Sequence, residues 1–515
     1  MGERGGMPTP FWGVFGCDEP NYYSKKVMFC QYGRRLPMLL YNINMSKIDA
    51  SQYKKTKIIA TIGPVSEEKI EALLKSGVNG VRLNFSHNRH SWHAEVIKKV
   101  RVAARKLKRS VAIIQDLQGP KIRIGTVEQM LSVSAGDTLE FAPEGKAKLG
   151  QIPIQYDFTN EVKKGERLLL RDGQVTTEVI SVRSGVVKVR VLSGGKFGSQ
   201  HGINLPDTLI EGSKLTEKDL ADVKFGLRQD IDYIALSFIH TAEDIERLRA
   251  IIKKSKQNVR VISKIETAPA VENLHEIIEA SDAVMIARGD LATETSPELV
   301  PIVGRKIIRI CREKKRPVIM ATQMLETMTN SLQPTRAEVN DVATAVSLGV
   351  DAVMLSGETA TGAFPVETVQ MMKRIILSSE TYLVEAHQLG TSHRLTAAHS
   401  AQDAVSLAAI TLANHVGAKL IVAETLTGST ALSVSSMRPN AAIIMASPDE
   451  RICNQLSIVW GGKAFLVPKG RLIHTEVIAE FRRRGALSRG DVVVSAFGTH
   501  VGVSGKTDTV RLLVA

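Results

Sequence analysis

Short apolar runs alternate with longer stretches of helical periodicity along most of the chain. Eight such runs lie between residues 56 and 358: TKIIATIG, GVRLNFS, VAIIQDL, YIALSFI, VRVISKIE, DAVMIARGD, PVIMATQM and AVMLSGE. Apolar runs of about four to eight residues between polar segments are typical of buried parallel strands. Strands that alternate with helices predict an α/β fold, and the pattern favours a (β/α)8 TIM barrel over an open sheet. The strand count alone does not prove that a barrel closes.

One segment, residues 118–207, interrupts this alternation with a different pattern. Its runs TLEFA, RLLLRDG, QVTTEVISV and VVKVRVL are strand-like, and glycines and charged residues separate them as in hairpin turns. We therefore predict a small β-barrel domain inserted into a loop of the large barrel. A domain in that position can act as a lid that excludes water from the barrel rim. The alternative is that the inserted domain is static and does not act as a lid.

The two ends of the chain differ from the barrel region. A helix, AAHSAQDAVSLAAITLANHVG, and the runs KLIVAET, AAIIMAS, KAFLV, DVVVSAFG and RLLVA predict a C-terminal α/β domain over residues 386–515. The barrel then consists of residues 46–117 and 208–385. Residues 1–45 are rich in Gly, Pro, Tyr and Asn without helical or strand periodicity, so we predict a poorly ordered N-terminal extension.

Polar residues stand at or just after the C-terminal ends of most predicted barrel strands. Catalytic groups of such barrels gather on that one face, and surface decoration does not explain so many polar residues at one rim. The residues are Arg82, Asn84, Ser86, Asp116, Lys264, Glu266, Asp290, Thr322, Ser356 and Glu358.

Lys264 and Glu266 form the most informative pair among these residues. Residues two apart on a strand share a face, and Asp290 ends the next apolar run. Burying the three charges costs free energy, which a metal site with oxygen ligands beside a fixed cation would justify. Two carboxylates suit Mg²⁺, which keeps open positions for substrate phosphate. A buried structural ion pair is the alternative.

Composition and charge narrow the classes of function. Hydrophobic residues make up 43% and charged residues 23% of the 515 residues, as in an ordinary globular protein. No apolar run reaches the roughly 18 residues of a membrane helix, so we expect no membrane partner. The net charge of +14 would fit nucleic acid, but only 5% of residues are aromatic and no arginine-rich run contains aromatics. We expect small phosphorylated anions as partners instead.

Cysteine spacing argues against zinc and against a disulfide framework. The four cysteines, Cys17, Cys30, Cys311 and Cys453, are scattered and form no CxxC motif. We therefore expect a reduced, cytoplasmic compartment.

A candidate phosphate cradle follows the first strand of the C-terminal domain. Hydroxyl groups and a Gly at the start of a predicted helix can bind phosphate through side chains, backbone N–H groups and the helix dipole. The segment is Thr425-Leu426-Thr427-Gly428-Ser429-Thr430. An ordinary helix cap is the alternative. The nearby GVSGKTDT is not a Walker site, because His500 occupies the place of the first Gly and a strand follows.

Nine motifs in series resemble those of the pyruvate kinase family. They occur in the family's order as TKIIATIGP, VRLNFSH, QDLQGPKIR, GINLP, SKIE, ARGDL, ATQMLETM, PTRAEVNDVA and AVMLSGETATG. The resemblance implies the barrel, the β lid and a C-terminal effector domain. It also implies phosphoryl transfer from phosphoenolpyruvate to ADP, which gives pyruvate and ATP in the final step of glycolysis. A homotetramer is a further expectation of the resemblance.

The resemblance assigns roles to the residues at the rim. It implies that Glu266 and Asp290 hold Mg²⁺, and that a second Mg²⁺ accompanies the nucleotide. Lys264 is then a fixed cation beside the transferring phosphoryl group and the developing enolate. Arg82 grips phosphate with two donors.

Further residues follow from the same resemblance. The backbone N–H groups of Gly289 and Asp290 would bind the substrate carboxylate. Thr322 lies where the enolate is protonated, and we expect a water to carry the proton because a hydroxyl is a poor acid near pH 7. The nucleotide would meet Asn84, His87 and Arg123, whereas Ser356 and Glu358 would support the rim.

Monovalent cation use is the most informative variation. Many relatives bind K⁺ at positions that match Asn84, Ser86, Asp116 and the carbonyl of Leu117, and those relatives carry Glu where this chain has Lys121. The ammonium group of Lys121 could supply the positive charge that K⁺ supplies in those relatives. We therefore predict activity without K⁺, and a Lys121 side chain in solvent is the alternative.

Three departures from the family pattern bear on ligand binding. His201 replaces a Lys that usually touches nucleotide phosphate, and Ala292 replaces a Gly after the metal-binding Asp. Leu426 stands where relatives activated by fructose bisphosphate carry Lys. The remaining cradle, Thr425, Thr427, Gly428, Ser429 and Thr430, favours a sugar monophosphate or AMP as the activator.

Two other classes of function remain open. A Mg²⁺-dependent barrel lyase or aldolase that acts on pyruvate-like acids also uses paired carboxylates and an Arg, but it needs neither a lid nor Lys264. A metabolite-binding protein without catalysis is the other class, and the intact set of charged residues at the rim argues against it.

Overall fold

The computed structural model describes residues 54–171, 173–208, 215–385, 400–468, 473–498 and 507–515. The predicted N-terminal extension, residues 1–45, lies outside these ranges. Within them, no helix is both long enough and apolar enough to cross a membrane.

The first part of the barrel alternates strands and helices as the apolar pattern predicts. Its elements are β1 (Lys57–Thr61), α1 (Ile70–Ser76), β2 (Gly80–Asn84), α2 (His90–Lys106) and β3 (Ala112–Asp116). Every residue of β1 and β3 is buried, which explains why their sequences are apolar runs rather than alternating patterns.

The inserted domain contains short strands with their own core. They are β4 (Leu131–Val133), β5 (Thr138–Pro143), β6 (Ile152–Ile154), β7 (Arg167–Leu170), β8 (Val175–Arg183), β9 (Val186–Ser193), β10 (Gly195–Phe197) and β11 (Ile203–Asn204). Six form a sheet in the order β11-β7-β8-β9-β5-β6, and β10 pairs with β4. The pairs are antiparallel except β5–β6. Phe141, Phe158 and Phe197 lie in the core of this domain.

The second part of the barrel resumes the alternation. Its elements are α3 (Glu217–Gly226), β12 (Tyr233–Leu236), α4 (Ala242–Ser255), β13 (Arg260–Ile265), α5 (Ala268–Glu272), α6 (Leu274–Ala280), β14 (Ala283–Ala287), α7 (Arg288–Glu294), α8 (Val300–Glu313), β15 (Val318–Ala321), a 3-10 turn (Glu326–Thr329), α9 (Arg336–Ser347), β16 (Ala352–Leu355), α10 (Gly357–Ala360) and α11 (Pro365–Glu385). Several of the helices begin at a capping box, such as Thr216 with Asp219 and Thr335 with Glu338.

Eight parallel strands close into a barrel in the order β1-β16-β15-β14-β13-β12-β3-β2. Closure distinguishes the predicted (β/α)8 barrel from an open sheet, so that prediction is confirmed. Side chains such as Ile59, Ile114, Tyr233, Ile262 and Met285 form one compact cluster of buried residues. Because all eight strands run in parallel, their C-terminal ends meet at one rim.

The C-terminal domain is a second α/β unit, as predicted. It contains α12 (Ala401–His415), β17 (Leu420–Glu424), α13 (Ser429–Ser436), β18 (Ala442–Ser447), α14 (Glu450–Leu456), β19 (Gly462–Leu466), α15 (Ile473–Arg483), β20 (Val492–Phe497) and β21 (Thr509–Val514). The sheet order is β19-β18-β17-β20-β21, with only β21 antiparallel to its neighbour.

Candidate active site

Charged side chains from three strands meet at the C-terminal rim of the barrel. Arg82 Nε lies 2.6 Å from Asp116 Oδ2, and Lys264 Nζ lies 3.5 Å from the other carboxylate oxygen of Asp116. Lys264 Nζ is also 3.1 Å from Glu266 Oε2. Asp116 therefore stands between the two cations that the sequence placed at this rim, and Lys264 stands between two carboxylates.

Lys264 and Asp116 keep their charges although they are buried. Burial would lower the pKa of Lys264, but the charges of Asp116 and Glu266 raise it above its usual value. Burial would raise the pKa of Asp116, but Lys264 and Arg82 hold it below its usual range. A positive charge is consequently fixed on Lys264 at neutral pH, as electrostatic stabilisation of an anionic transition state requires.

Glu266 is a carboxylate of this group whose pKa is dominated by burial. It is fully buried, and burial raises its pKa to about 7 against the opposing charge of Lys264. Its Oε1 accepts a hydrogen bond from the backbone N–H of Phe238 at 2.7 Å. Its Oε2 accepts no hydrogen bond in good geometry from any residue that the structure describes. A buried carboxylate oxygen in that condition suits coordination to a cation.

The carboxylates of Glu266 and Asp290 fit a Mg²⁺ ion that also takes ligands from substrate and water. They do not form a site in which protein side chains supply every ligand. The charge of Asp290 acts on both Glu266 and Lys264, and its side chain is 28% exposed. Over the described ranges no three His, Cys, Asp or Glu side chains form a complete metal cage. Mg²⁺ is commonly bound through one or two carboxylates, with substrate and water oxygens as its other ligands.

Lys121 reaches this cluster from the inserted domain. Its Nζ lies 3.7 Å from Asp290 Oδ1, and its side chain is 24% exposed. The side chain therefore points toward the rim, where a positive charge adds to the charge of Lys264.

The groups that match a monovalent cation site make contacts within the protein. Asn84 Oδ1 accepts the backbone N–H of Ser86 at 3.1 Å. The carbonyl of Leu117 accepts the hydroxyl of Ser237 at 2.8 Å. Asn84 pairs with Asp116 across neighbouring strands, so these groups are close together, and the charge of Asp116 is balanced by its two cationic neighbours.

Thr322 and Gly289 are joined by a hydrogen bond. Gly289 N–H donates to Thr322 Oγ1 at 3.0 Å, and Thr322 Oγ1 donates to the carbonyl of Ala321 at 2.7 Å. Thr322 has a φ of 67°, which is costly for a β-branched residue and is typical of functional sites. A substrate carboxylate that binds the N–H of Gly289 would have to compete with this bond.

Of the predicted nucleotide residues, His87 follows strand β2 of the barrel and Arg123 belongs to the inserted domain. His87 is exposed, and desolvation together with the positive charges of Arg123 and Arg82 lowers its pKa. Arg123 Nη1 donates to the carbonyl of Gln200 at 2.8 Å, and the next residue, His201, accepts the N–H of Gly198 through Nδ1. The barrel and the inserted domain thus contribute to one surface.

Glu358 and Ala292 have local structural roles. Glu358 is fully buried and accepts the backbone N–H groups of Leu325 at 3.2 Å and Ser356 at 2.6 Å. It therefore joins the loops that follow β15 and β16. Ala292 lies inside α7, where Ala is the most favourable residue.

Three residues at the rim escaped sequence reasoning. Ser237 Oγ accepts a hydrogen bond from Lys264 Nζ at 2.7 Å, Phe238 holds Glu266 as described above, and Thr61 Oγ1 accepts Arg82 Nη1 at 3.3 Å. Their positions just after or at the end of a strand are the signal that could have found them. Ser237 lies within the apolar run YIALSFI, so the run did not show that its strand ends just before this residue.

The predicted phosphate cradle is a compact turn. Thr425 Oγ1 accepts the N–H of Gly428 at 2.8 Å, and the buried hydroxyls of Thr430 and Thr507 bond at 2.7 Å. Thr427 is exposed and Ser429 is half-buried. Thr425 thus closes the turn and Thr430 joins it to Thr507, whereas the more accessible hydroxyls are those of Thr427 and Ser429, 3.5 Å apart.

Comparisons with known proteins agree with this architecture. Residues 53–369 match the family model of the pyruvate kinase barrel domain, and residues 403–513 match that of the pyruvate kinase alpha/beta domain. Pyruvate kinase 2 of Synechocystis is 38% identical over 474 residues, which cover 90% of this chain and 79% of the relative. Pyruvate kinase of Staphylococcus aureus is 37% identical over 470 residues, which cover 89% and 80%. The chain belongs to the pyruvate kinase family.

Proposed function

We propose that this protein transfers the phosphoryl group of phosphoenolpyruvate to ADP and forms pyruvate and ATP. The buried, charged Lys264 between Asp116 and Glu266 is the observation that supports this most. Phosphoryl transfer depends on positioning and charge stabilisation rather than on covalent chemistry by the protein. A lyase or aldolase would have no use for this ammonium.

Each charged side chain has a part in the proposed transfer. Arg82 directs Nε to Asp116 and Nη1 to Thr61, so its remaining N–H groups are available to phosphate oxygens. Lys264 stabilises the charge that develops on the transferring group and on the enolate oxygen. His87 and Arg123 bind the nucleotide, with Asn84 beside them.

Glu266 and Asp290 would hold the Mg²⁺ ion that enzymes of this family generally need, and a second ion would accompany the nucleotide. When bound, Mg²⁺ supplies charge neutralisation for phosphate and enolate oxygens. Phe238 N–H orients Glu266. Thr322 holds the water that delivers a proton to the enolate, and Gly289 and Asp290 offer backbone N–H groups to the carboxylate.

The products of a steady-state reaction test this proposal. With phosphoenolpyruvate, ADP and Mg²⁺ we expect equal amounts of ATP and pyruvate. Pyruvate with inorganic phosphate in place of ATP would contradict transfer to ADP. Cleavage of a carbon–carbon bond in a pyruvate-like hydroxy acid would instead favour the Mg²⁺-dependent lyase or aldolase.

We also propose that Lys121 replaces a monovalent cation. Its ammonium lies 3.7 Å from Asp290, so we expect near-maximal activity in buffer without K⁺. Lys121→Glu replaces that positive charge with a negative one, and we expect about 100-fold lower kcat without K⁺, with partial recovery on addition of KCl. Steady-state kinetics over a KCl series measures both effects.

The exposed Lys148 of the inserted domain provides a matched control. Lys148→Glu makes the same change of charge away from the cluster, and its K⁺ response should equal that of the wild type. Strong activation of the wild type by KCl would refute the proposal.

We further propose a sugar monophosphate or AMP as an activator that binds residues 425–430. At low phosphoenolpyruvate, ribose 5-phosphate or AMP should then activate more than fructose 1,6-bisphosphate. Gly428→Ala should abolish this activation, because Gly428 has a φ of 95° and its new Cβ would lie 2.8 Å from Arg260 Nη2.

Gly417 offers a control for backbone strain alone. It has a φ of 61° with no atom within 4 Å of a new Cβ, so Gly417→Ala should keep the activation. If no candidate activates the wild type, the turn is only a helix cap.

We also propose a cytoplasmic homotetramer. Ile302 on α8 is 64% exposed, and Val514 on the edge strand β21 is 65% exposed. An exposed edge strand with apolar side chains favours pairing with another chain. Sedimentation of the purified protein measures the assembly.

A further inference from the structure

Ser237 makes the shortest contact of the catalytic ammonium. The residue follows β12 and is buried, with only 2% of its surface exposed. Its Oγ lies 2.7 Å from Lys264 Nζ, whereas the two carboxylates lie 3.1 and 3.5 Å from that nitrogen. A neutral hydroxyl is thus closer to the ammonium than either charged partner.

The direction of the hydrogen bonds around Ser237 is determined by its neighbours. A hydroxyl has one proton to donate, and the Leu117 carbonyl, 2.8 Å away, can only accept. Asp116 Oδ1 also lies 3.5 Å from the hydroxyl, at the limit of a hydrogen bond. The proton therefore goes to Leu117, and the lone pairs of Ser237 face Lys264.

We infer that Ser237 is a positioning residue for Lys264, an inference that rests on the proposed phosphoryl transfer. As a neutral acceptor it orients the ammonium without cancelling its charge. The two carboxylates, at 3.1 and 3.5 Å, are the charged partners of the ammonium and remain in place without the hydroxyl. Ser237 would then determine where the positive charge points rather than whether it exists.

The backbone around Ser237 holds the hydroxyl in place. The N–H of Leu117 donates to the carbonyl of Ala235 at 3.0 Å, which joins the ends of β3 and β12. On the other side, a Cβ built on Gly119 would lie 3.0 Å from the Cβ of Ser237. Gly119 therefore packs closely against Ser237, while the hydroxyl of Ser237 is fixed by its bonds to Leu117 and Lys264.

The residue after Ser237 holds Glu266, which directly follows β13. Phe238 has a φ of 54°, a strained conformation for a residue other than glycine, and its N–H donates to Glu266. One short turn thus orients both Lys264, through a side chain, and Glu266, through the backbone. Strain of this kind persists where it serves a functional arrangement.

Ser237→Ala tests the inference. Removing the acceptor leaves Lys264 charged but misplaced, and a misplacement of about 1 Å can lower a rate about 100-fold. We expect kcat for ATP formation to fall about 100-fold, with a much smaller change in KM for phosphoenolpyruvate because charge attraction remains.

A second variant and a control separate orientation from packing. Ser237→Cys keeps the shape of the side chain and leaves no cavity, but its larger sulfur accepts hydrogen bonds poorly, so it should also have low kcat. Ser263 is fully buried on β13, and its hydroxyl forms a hydrogen bond with that of Ser281 at 2.6 Å. Ser263→Ala removes a comparable buried hydroxyl from the opposite face of the strand, and its kcat should stay near that of the wild type.

The outcomes distinguish this inference from the proposed function. If Ser237→Cys restores kcat, or if Ser237→Ala has wild-type kcat, the positioning role is wrong although the transfer reaction stands. A fall in kcat for Ser263→Ala as large as that for Ser237→Ala would also overturn it. If the wild type forms no ATP, the proposed function itself fails.

Discussion

Lys264→Met is expected to lower kcat for ATP formation about 1,000-fold, because one preorganised charge at a transition state contributes an effect of this size. Met fills a similar volume but carries no charge, so Asp116 and Glu266 lose their shared partner. The loss should appear in kcat and kcat/KM together. Steady-state kinetics with coupled detection of ATP measures both.

Lys57 supplies the matched control for this substitution. It is a buried lysine at the opposite end of the barrel, where Nζ donates to the carbonyl of Gly462 at 2.7 Å. Lys57→Met measures how much folding stability is lost when a buried ammonium is removed. Below its melting temperature this variant should retain most of kcat. Equal losses in the two variants would mean that the effect of Lys264 is structural.

The second large effect concerns Glu266 and the metal. Chelation of Mg²⁺ should abolish ATP formation by the wild type, and added Mg²⁺ should restore it. Glu266→Gln keeps an acceptor for the N–H of Phe238 but loses the negative charge, so the variant should bind Mg²⁺ more weakly. We expect about 100-fold lower kcat and half-activation at a higher Mg²⁺ concentration.

Glu358→Gln is the control for the loss of a buried carboxylate. Glu358 is as fully buried as Glu266 and accepts two backbone N–H groups, but it does not contact the charged cluster. Its Mg²⁺ response should match that of the wild type. A wild-type Mg²⁺ response in Glu266→Gln would rule out this residue as a metal ligand.

The architecture could be predicted because it leaves a periodic signal. Buried parallel strands are uniformly apolar, so each of the eight barrel strands appeared as a run, and the change to antiparallel strands showed the insertion. The spacing of Lys264 and Glu266 likewise placed them on one face. The assignment of chemistry to these residues came from the resemblance rather than from periodicity.

Contacts that depend on turns left no such signal. Ser237 and Phe238 act through a turn in which Phe238 has a positive φ. The residue pair Ser-Phe does not distinguish such a turn from the extended end of a strand. The approach of Lys121 to Asp290 depends on how a loop of the inserted domain folds over the rim. The bond between Arg260 and the Thr427 carbonyl joins distant parts of the chain.

A single-turnover transfer from radiolabelled phosphoenolpyruvate to ADP measures the joint role of the rim charges. With excess enzyme and Mg²⁺, the wild type should place the label in ATP, and the transfer rate should fall about 1,000-fold in Lys264→Met. Label released as inorganic phosphate by the wild type, or equal transfer by both proteins, would contradict the assignment of this cluster to phosphoryl transfer.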